Sequence, residues 1–276
     1  MNKKKIKPSS IVLFLVCCAV AVAMIMPFLW MVSASFKLRN EIFSRPIQWI
    51  PQTFHKDNYE TILEKIPFSR YFFNTAKITI IITLLQLITC SMAAYAFSKL
   101  HFPGRDTIFL CYLGTMMVPW HAIMIPQFIV IQKLHLYDNH LSLILTGAFS
   151  AFGVFLLRQN MLSIPDSLNE AAKIDGCGPV GIYLRIILPL TKTGLATLTV
   201  LTFNGTWNDY MGPMIYLDKD VNRTIQLGLA TFKREFDTNY GAIMAGTVIS
   251  LIPVVIIYVT MQKYIVEGIA YSGVKG

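Results

Sequence analysis

Charge is what this chain has least of. Only 14% of its 276 residues are Asp, Glu, Lys or Arg, against about 25% in an ordinary soluble domain, and a rich interior does not explain so large a deficit. The scarcity is patterned. Five apolar blocks, at 11–33, 78–97, 108–131, 140–157 and 241–262, contain none of these residues. Ionisable groups buried at mid-membrane mark an ion-coupled secondary transporter. That alternative is left with His121, and with Asp209 near the end of a sixth block at 193–212. No Gly-x-x-x-x-Gly-Lys-Ser/Thr stretch occurs, so the chain shows no phosphate cradle for hydrolysing ATP. Nor is there a Cys-x-x-Cys. Cys17, Cys18, Cys90 and Cys111 lie in apolar blocks and Cys177 stands apart. An odd count with no pair in the outer connectors argues against a disulfide framework. The histidines His55, His101, His121, His135 and His140 scatter along the chain, so no hydrolytic or metal site emerges.

What is present is hydrophobicity: 54% of residues, with a mean hydropathy of +0.54. The blocks approach or exceed the roughly 20 residues a helix needs to cross a bilayer, about twice the length of a barrel strand. An all-α membrane protein with six transmembrane helices is expected. The block at 140–157 is short, and its Gly147, Ala148, Ser150, Ala151 and Gly153 would permit close helix packing. The first block follows Lys3, Lys4, Lys5 and Lys7 as a signal peptide would. Its apolar run continues to about Ser33 without a clear cleavage site followed by a soluble domain, so it reads as a retained span.

The net charge of +9 does not point to nucleic acid, because the bases sit mainly in connectors between apolar blocks. Twelve of the 24 Lys and Arg fall in 1–10, 98–107, 158–192 and 263–276, which together make up a quarter of the chain. By the preference for basic residues on the inner side, these segments are cytoplasmic. The organisation is then a cytoplasmic N-terminus (1–10), a six-span domain (11–262) containing a cytoplasmic connector (158–192), and a cytoplasmic tail (263–276). Two outer segments, 34–77 and 213–240, are large enough to contact something beyond the membrane. Trp30, Trp49, Trp120 and Trp207 fit an interfacial aromatic belt.

The connector reads RQNMLSIPDSLNEAAKIDGCGPVGIYLRIILPLTK. A proline turn at Ile164-Pro165-Asp166 leads into a short helix over 167–174, with acids suited to its first turns. Gly176 is placed to close it in a left-handed cap, and a second helical piece runs from about Val180 to Ile187, ahead of Pro189. A short helix on the cytoplasmic face is either a docking element for a partner or an ordinary surface helix packed on its own bundle. The residue pattern leaves both open.

Glu170-Ala171-Ala172, three residues, Gly176, nine residues, Ile186, one residue, and Leu188-Pro189 resembles, in order and spacing, the signature loop of the inner-membrane permease subunits of ABC importers. Further stretches are similar to the carbohydrate-uptake class of these subunits, of the maltose-type G permease kind. They are Ser35-Phe36-Lys37, Asn58-Tyr59, Pro67-Phe68 with Arg70-Tyr71-Phe72, Tyr95-Ala96-Phe97, Trp207-Asn208-Asp209 with Pro213, and the tail from Lys263-Tyr264-Ile265-Val266 through Gly268 to Gly273-Val274-Lys275-Gly276.

The resemblance covers roughly 11–276. It implies a non-catalytic subunit of a bacterial inner membrane, multi-pass with both termini cytoplasmic. It implies half of a heterodimeric pore with a second permease, resting on two copies of a cytoplasmic ATPase and fed by an extracytoplasmic sugar-binding protein. ATP and Mg would be bound by the ATPase, with no cofactor in this chain. Glu170 to Gly176 would be the coupling helix: Glu170 the charged contact, Ala171 and Ala172 allowing close approach, Gly176 the turn behind, with Asp175, Ile186, Leu188 and Pro189 completing the motif. The tail would reach toward the ATPase and 213–240 toward the binding protein. Asn208 and Asp209 are read as structural or docking groups before sugar contacts.

Overall fold

The computed structural model describes the backbone of residues 8–234 and 239–273, and every regular element among them is helical. In chain order these are α1 (Pro8–Ser35), α2 (Asp57–Lys65), α3 (Phe68–Lys99), α4 (Arg105–Gly114), α5 (Trp120–Lys133), α6 (His140–Gly147), α7 (Ala151–Leu162), α8 (Asp166–Ile174), α9 (Lys192–Trp207), α10 (Met211–Tyr216), α11 (Ile225–Arg234) and α12 (Tyr240–Gly273), with single turns between some of them. Residues 1–7 and the terminal Val274-Lys275-Gly276, part of the expected cytoplasmic ends, lie outside the described residues. The described chain clusters into two compact units, one formed by residues up to Phe68 with Leu229–Leu251, the other by Ser69–Gly228 with the chain from Ile252 onward.

Four helical stretches are long and apolar enough to cross a bilayer: Ser9–Ser35, Phe68–Lys99, His140–Leu162 and Tyr240–Tyr264. Two further pairs qualify only when joined across a sharp bend, and counting each as one span gives the expected six. Sequence reasoning predicts a single helix over 108–131. The structure breaks it, with a 97° bend between Arg105–Met117 and Trp120–Lys133. The cause is local: Pro119 clashes with a helical residue before it, so Val118 turns extended (φ −84°, ψ 113°) and Pro119 becomes the residue that starts α5. The expected helix over 193–212 likewise stops at Trp207, and α10 begins anew at Met211.

The fourth span also contains a break, at 148–150, between α6 and α7. Lipid cannot satisfy the backbone groups such a break frees, and side chains of α3 do so. Gln86 Nε2 donates to the Gly147 carbonyl at 2.7 Å and Thr89 Oγ1 to the Ala148 carbonyl at 2.8 Å. Ser150 caps α7 by accepting the Gly153 N–H at 3.0 Å. The remaining lone pairs of Gln86 Oε1 receive Thr202 Oγ1 at 2.8 Å, so the one long polar side chain within the apolar part of α3 is used at both ends. The small residues expected to allow close packing do so. A Cβ on Gly147 would stand 2.9 Å from Ile82 Cδ1, and one on Gly153 would stand 2.9 Å from Cys90 Sγ and 3.1 Å from Leu198 Cδ1.

In the first unit, α1 leaves its apolar side chains, from Ile11 to Leu29, largely uncovered. Its C-terminal end is held by the next segment: Asn58 Nδ2 donates to the carbonyls of Ser35 (3.0 Å) and Lys37 (2.8 Å), and Tyr59 OH lies 2.8 Å from Ser35 Oγ. The buried Lys37 ammonium donates to the Gln48 carbonyl. Two sequence fragments that are unremarkable singly, Ser35-Phe36-Lys37 and Asn58-Tyr59, thus form one cluster that satisfies the orphan carbonyls of a helix end.

Gly153→Ala should lower the thermal midpoint of the purified chain in detergent, because its Cβ has no room; overpacking of this kind costs about 1–3 kcal/mol. Gly205→Ala, where nothing lies within 4 Å of the added Cβ, should instead raise it, by about 0.5–1 kcal/mol of helix propensity. Equal shifts in the two variants would show that Gly153 is not a packing position.

Candidate functional site

The predicted short helix of the connector is α8. Asp166 occupies its first turn, and Pro165 stands just ahead of the helix with extended ψ of 136°. Its end is a complete Schellman motif. Gly176 takes φ +80°, the Cys177 N–H bonds the Ala172 carbonyl at 2.9 Å and the Gly176 N–H bonds the Lys173 carbonyl at 3.0 Å. A Cβ at Gly176 meets nothing within 4 Å, so its left-handed backbone, not crowding, is what calls for glycine.

The helix has two faces. Asn169 and Ala172 are buried, while Glu170, Ala171, Ile174, Asp175 and Gly176 are exposed, Ile174 at 85%. The two alanines expected to serve together are therefore divided. Ala172 belongs to a core cluster with Tyr95, Ile164, Ile182 and Ile187, and only Ala171 looks outward. A helix that packs on its own bundle and one that leaves a face uncovered are, here, the same helix.

Three side chains of α3 hold this connector. Lys99, with its side chain only 2% exposed, donates to the Ile164 carbonyl and to Asp166 Oδ1, both at 2.6 Å. Tyr95 OH donates to the Pro179 carbonyl at 3.0 Å, and Ser91 Oγ lies 2.7 Å from Tyr183 OH. Ser91, Tyr95 and Lys99 are four residues apart, so they share one face of α3 and grip the chain both before and after α8. The hydrogen bond from Lys99, with its positive charge, holds the Asp166 carboxyl below the usual carboxylate range. Arg158 fixes the end of α7 nearby: its Nε donates to the Phe97 carbonyl at 3.1 Å and its guanidinium lies 4.1 Å over the Phe109 ring.

Ile186, Leu188 and Pro189 do not join the α8 surface. They belong to the turn into α9, where a π-helical stretch, Tyr183–Ile187, precedes Leu188–Leu190 and the chain then bends by 76°. Pro189 lacks an N–H and its ring crowds the carbonyl four residues back; a widened π turn accommodates both. Ile186 and Leu188 are half-buried and Pro189 is exposed.

A second place of interest is a cavity of about 540 Å³ in the larger unit, walled by α3, α5, α6 and the 206–216 segment. His121 and Asp209, the two groups left to an ion-coupled transporter, both line it. Asp209 Oδ1 accepts the Gly212 N–H at 3.2 Å and so caps α10. Asn208 is exposed and bonds Asn204 (3.0 Å) and Gln226 (3.2 Å) instead.

The segment after α10, expected on the outer side, is folded where it is described and not a loose polar loop. Asp138 accepts the N–H groups of Asp218 and Lys219, each at 3.0 Å, and Asn74 Nδ2 donates to the carbonyls of Val221 (3.0 Å) and Arg223 (2.9 Å). Burial acts to raise the Asp138 carboxyl, but hydrogen bonds from Asn222 and from those two backbone N–H groups outweigh it and hold the group low. Residues 235–238 of the expected contact segment lie outside the described residues.

Residues 86–271, from the middle of α3 into α12, match the family described as the inner membrane component of binding-protein-dependent transport systems. Along its whole length the chain is 35% identical to the probable ABC transporter permease protein YurM of Bacillus subtilis, covering 91% of it. It is 34% identical to the arabinooligosaccharides transport system permease protein AraQ of Halalkalibacterium halodurans, over 93% of each chain. To AmyC of Thermoanaerobacterium thermosulfurigenes, a probable starch degradation products transport system permease protein, it is 35% identical over 91% of this chain and 92% of that one. Among solved structures, a chain of a bacterial ABC transporter involved in the import of the acidic polysaccharide alginate superposes with a TM-score of 0.82 at 27% identity, covering 95% of this chain and 99% of that one. A broken-span helical bundle of this kind, with an anchored surface helix, is that of a non-catalytic transport permease. The chain belongs to the family of inner membrane components of binding-protein-dependent transport systems.

Sequence reasoning missed Lys99 and Ser91 as holders of the connector, and singled out Tyr95-Ala96-Phe97 without foreseeing that Tyr95 bonds it. The signal was there in the spacing of four that the three share at the end of an apolar helix, but nothing in one dimension says what that face meets. Lys99→Ala leaves the buried Ile164 carbonyl without its partner, a loss of about 1–3 kcal/mol, and α8 amides should exchange hydrogen roughly ten- to hundredfold faster while α3 amides keep their protection. The Asp166 contact adds a pH dependence. Because its folded pKa is depressed, its stabilisation is present above the unfolded value near about 4 and is lost as pH falls through the folded value. Protection of the α8 amides, measured relative to their intrinsic exchange rate at each pH, should therefore fall on acidification in the wild type more than in Lys99→Ala. Unchanged exchange in the variant would show that Lys99 does not hold the helix.

Proposed function

We propose that this chain forms one half of the translocation pathway of an importer for sugars or oligosaccharides, and that α8 couples it to an ATPase carried on separate chains. The observation that carries the coupling role is the division of α8 into a buried face, Asn169 and Ala172, and an outer face of Glu170, Ala171 and Ile174, with Lys99 and Tyr95 holding the chain on either side of the helix. A helix fixed in this way moves with its bundle, which is what transmitting a push requires. Glu170 is the charged contact, Ala171 lets a partner approach, and the Schellman turn at Gly176 sets the helix's end. Asp175 adds a second exposed acid, and Ile186, Leu188 and Pro189 form the bend that carries the movement into α9.

In this reading the connector and both termini are cytoplasmic, and the membrane is the inner membrane of a bacterium. The complete transporter contains a second permease, which pairs with this one, and two copies of the ATPase, which bind ATP and Mg. An extracytoplasmic binding protein delivers the cargo to the face bearing the 213–240 segment. A sugar cargo is supported by relatives named for arabino-oligosaccharides and starch degradation products. A binding protein as partner is supported by a solved alginate transporter in complex with an alginate pentasaccharide-bound periplasmic protein, which shares this fold at a TM-score of 0.66 and 13% identity.

The test is ATP-dependent uptake in liposomes by the full complex of this chain, its partner permease, ATPase and binding protein, across a panel of labelled oligosaccharides. Uptake should need every component and ATP. In Glu170→Ala it should fall roughly tenfold or more, the loss of one charged hydrogen bond, with the subunits still co-purifying. Uptake by this chain alone, driven by an ion gradient and indifferent to ATP, would instead establish the secondary-transport alternative, with His121 and Asp209 as its groups.

A further inference from the structure

A groove of about 650 Å³ opens in the larger unit between the first turns of α3 and α6, at the end of α3 opposite the one that holds α8. Its α3 side is formed by Arg70, Asn74, Lys77 and Ile81. Spacings of four, three and four put them in one row along the helix, so the row passes from charge to hydrocarbon. The change falls at one level. The uncharged block of α3 begins at 78, directly after Lys77, and that of α6 begins at 140. Below this level the groove is walled by Ile81 and, from α6, by the exposed Leu141 and the buried Ile144.

Most polar groups above that level are already spent. Asn74 Nδ2 serves the Val221 and Arg223 carbonyls, and His140 Nε2 lies 2.8 Å from the Asn222 carbonyl. The Asp138 charge is answered by Lys219 at 3.6 Å, and that of nearby Asp220 by Arg223 at 3.3 Å. Arg70 and Lys77 are the exceptions. Both are exposed, and neither makes an ion pair or a hydrogen bond with any described residue. Two cations about 10 Å apart along the helix thus stand uncompensated above an apolar wall. A snorkelling lysine explains one cation at the boundary but not a second, two turns farther out. A neutral sugar has no use for two positive charges, and a free anion has none for the apolar wall. A molecule that carries an anion over hydrocarbon at this level matches both, and basic pockets between spanning helices take such headgroups.

We propose that this groove binds an anionic phospholipid, with Lys77 and Arg70 on its headgroup and an acyl chain along Ile81, Leu141 and Ile144. Val221 and Asn222 also line the groove, so the bound lipid braces the folded segment after α10. Only the leaflet rests on the orientation proposed above, in which it is the outer one. The site itself depends neither on the cargo nor on the coupling role of α8.

The experiment titrates the intact transporter complex in detergent with phosphatidylglycerol or, separately, with zwitterionic phosphatidylethanolamine, and counts retained lipids by native mass spectrometry. The wild type should retain one phosphatidylglycerol that the double variant Arg70→Gln/Lys77→Gln binds roughly tenfold or more weakly. Phosphatidylethanolamine should bind both alike. Exchanging the two bases, Arg70→Lys with Lys77→Arg, keeps the charge and should restore the lipid. Should the double variant fail to assemble, Lys77→Gln alone decides by the same count. Equal retention of phosphatidylglycerol in wild type and variant overturns the site, as does an equal loss of both lipids, which marks an apolar groove without charge recognition. Displacement of the lipid by excess glycerol 3-phosphate, which has the phosphate but no chains, overturns the lipid in favour of a free anion. A variant that keeps its lipid but loses affinity for the binding protein assigns the two cations to that protein and also overturns the proposal. No transport is measured, so these outcomes are independent of whether the chain imports sugars.

Discussion

Each break in a membrane-spanning helix frees backbone groups that lipid will not hydrogen-bond, and the main cost of this architecture is finding partners for them. The third, fourth and fifth spans are all interrupted. At the fourth the repair comes from α3, through Gln86 and Thr89. That requirement explains why an otherwise apolar helix carries an amide near its centre. It also explains why Gly147 and Gly153 are small: α3 must lie close enough for its side chains to reach the broken turn.

Because α3 is unbroken, it can serve several regions. Its first half supplies Thr79 to the cavity wall, its middle supplies Gln86 and Thr89 to the interrupted span, and its last turns supply Ser91, Tyr95 and Lys99 to the connector that carries α8. On the proposed function, a load applied to Glu170 and Ala171 passes through the Lys99 and Tyr95 contacts into one continuous helix. That helix also borders the 540 Å³ cavity. The coupling path is then a rigid element with hydrogen-bonded ends and not a chain of soft contacts, consistent with interfaces that switch between discrete arrangements instead of deforming continuously.

The family resemblance was legible because it depends on spacing, and the Gly176 turn was legible because it depends on backbone chemistry that one residue satisfies. The grouping of the partners was not. Ala171 and Ala172 are neighbours with the same side chain, yet one lines the core and one faces outward, a distinction set by which side of α8 meets Ile182 and Ile187. Asp209 and His121 read as isolated polar residues until the fold put them on one cavity wall. The split in the third span could have been read from Val118-Pro119, since the rule against helical backbone before proline is local, but the apolar run around it concealed the signal.

By itself the sequence determined that the chain spans a membrane, that it has six apolar blocks, and that one connector carries a spaced signature ending in a left-handed turn. Hydrophobic length and turn chemistry are properties of consecutive residues. Only the tertiary structure decided which polar side chains are repairs and which are left over, because a hydrogen bond between Gln86 and the Gly147 carbonyl, or between Lys99 and the Ile164 carbonyl, joins positions more than sixty residues apart. A group's remaining capacity to bind is known only after those partners have been assigned.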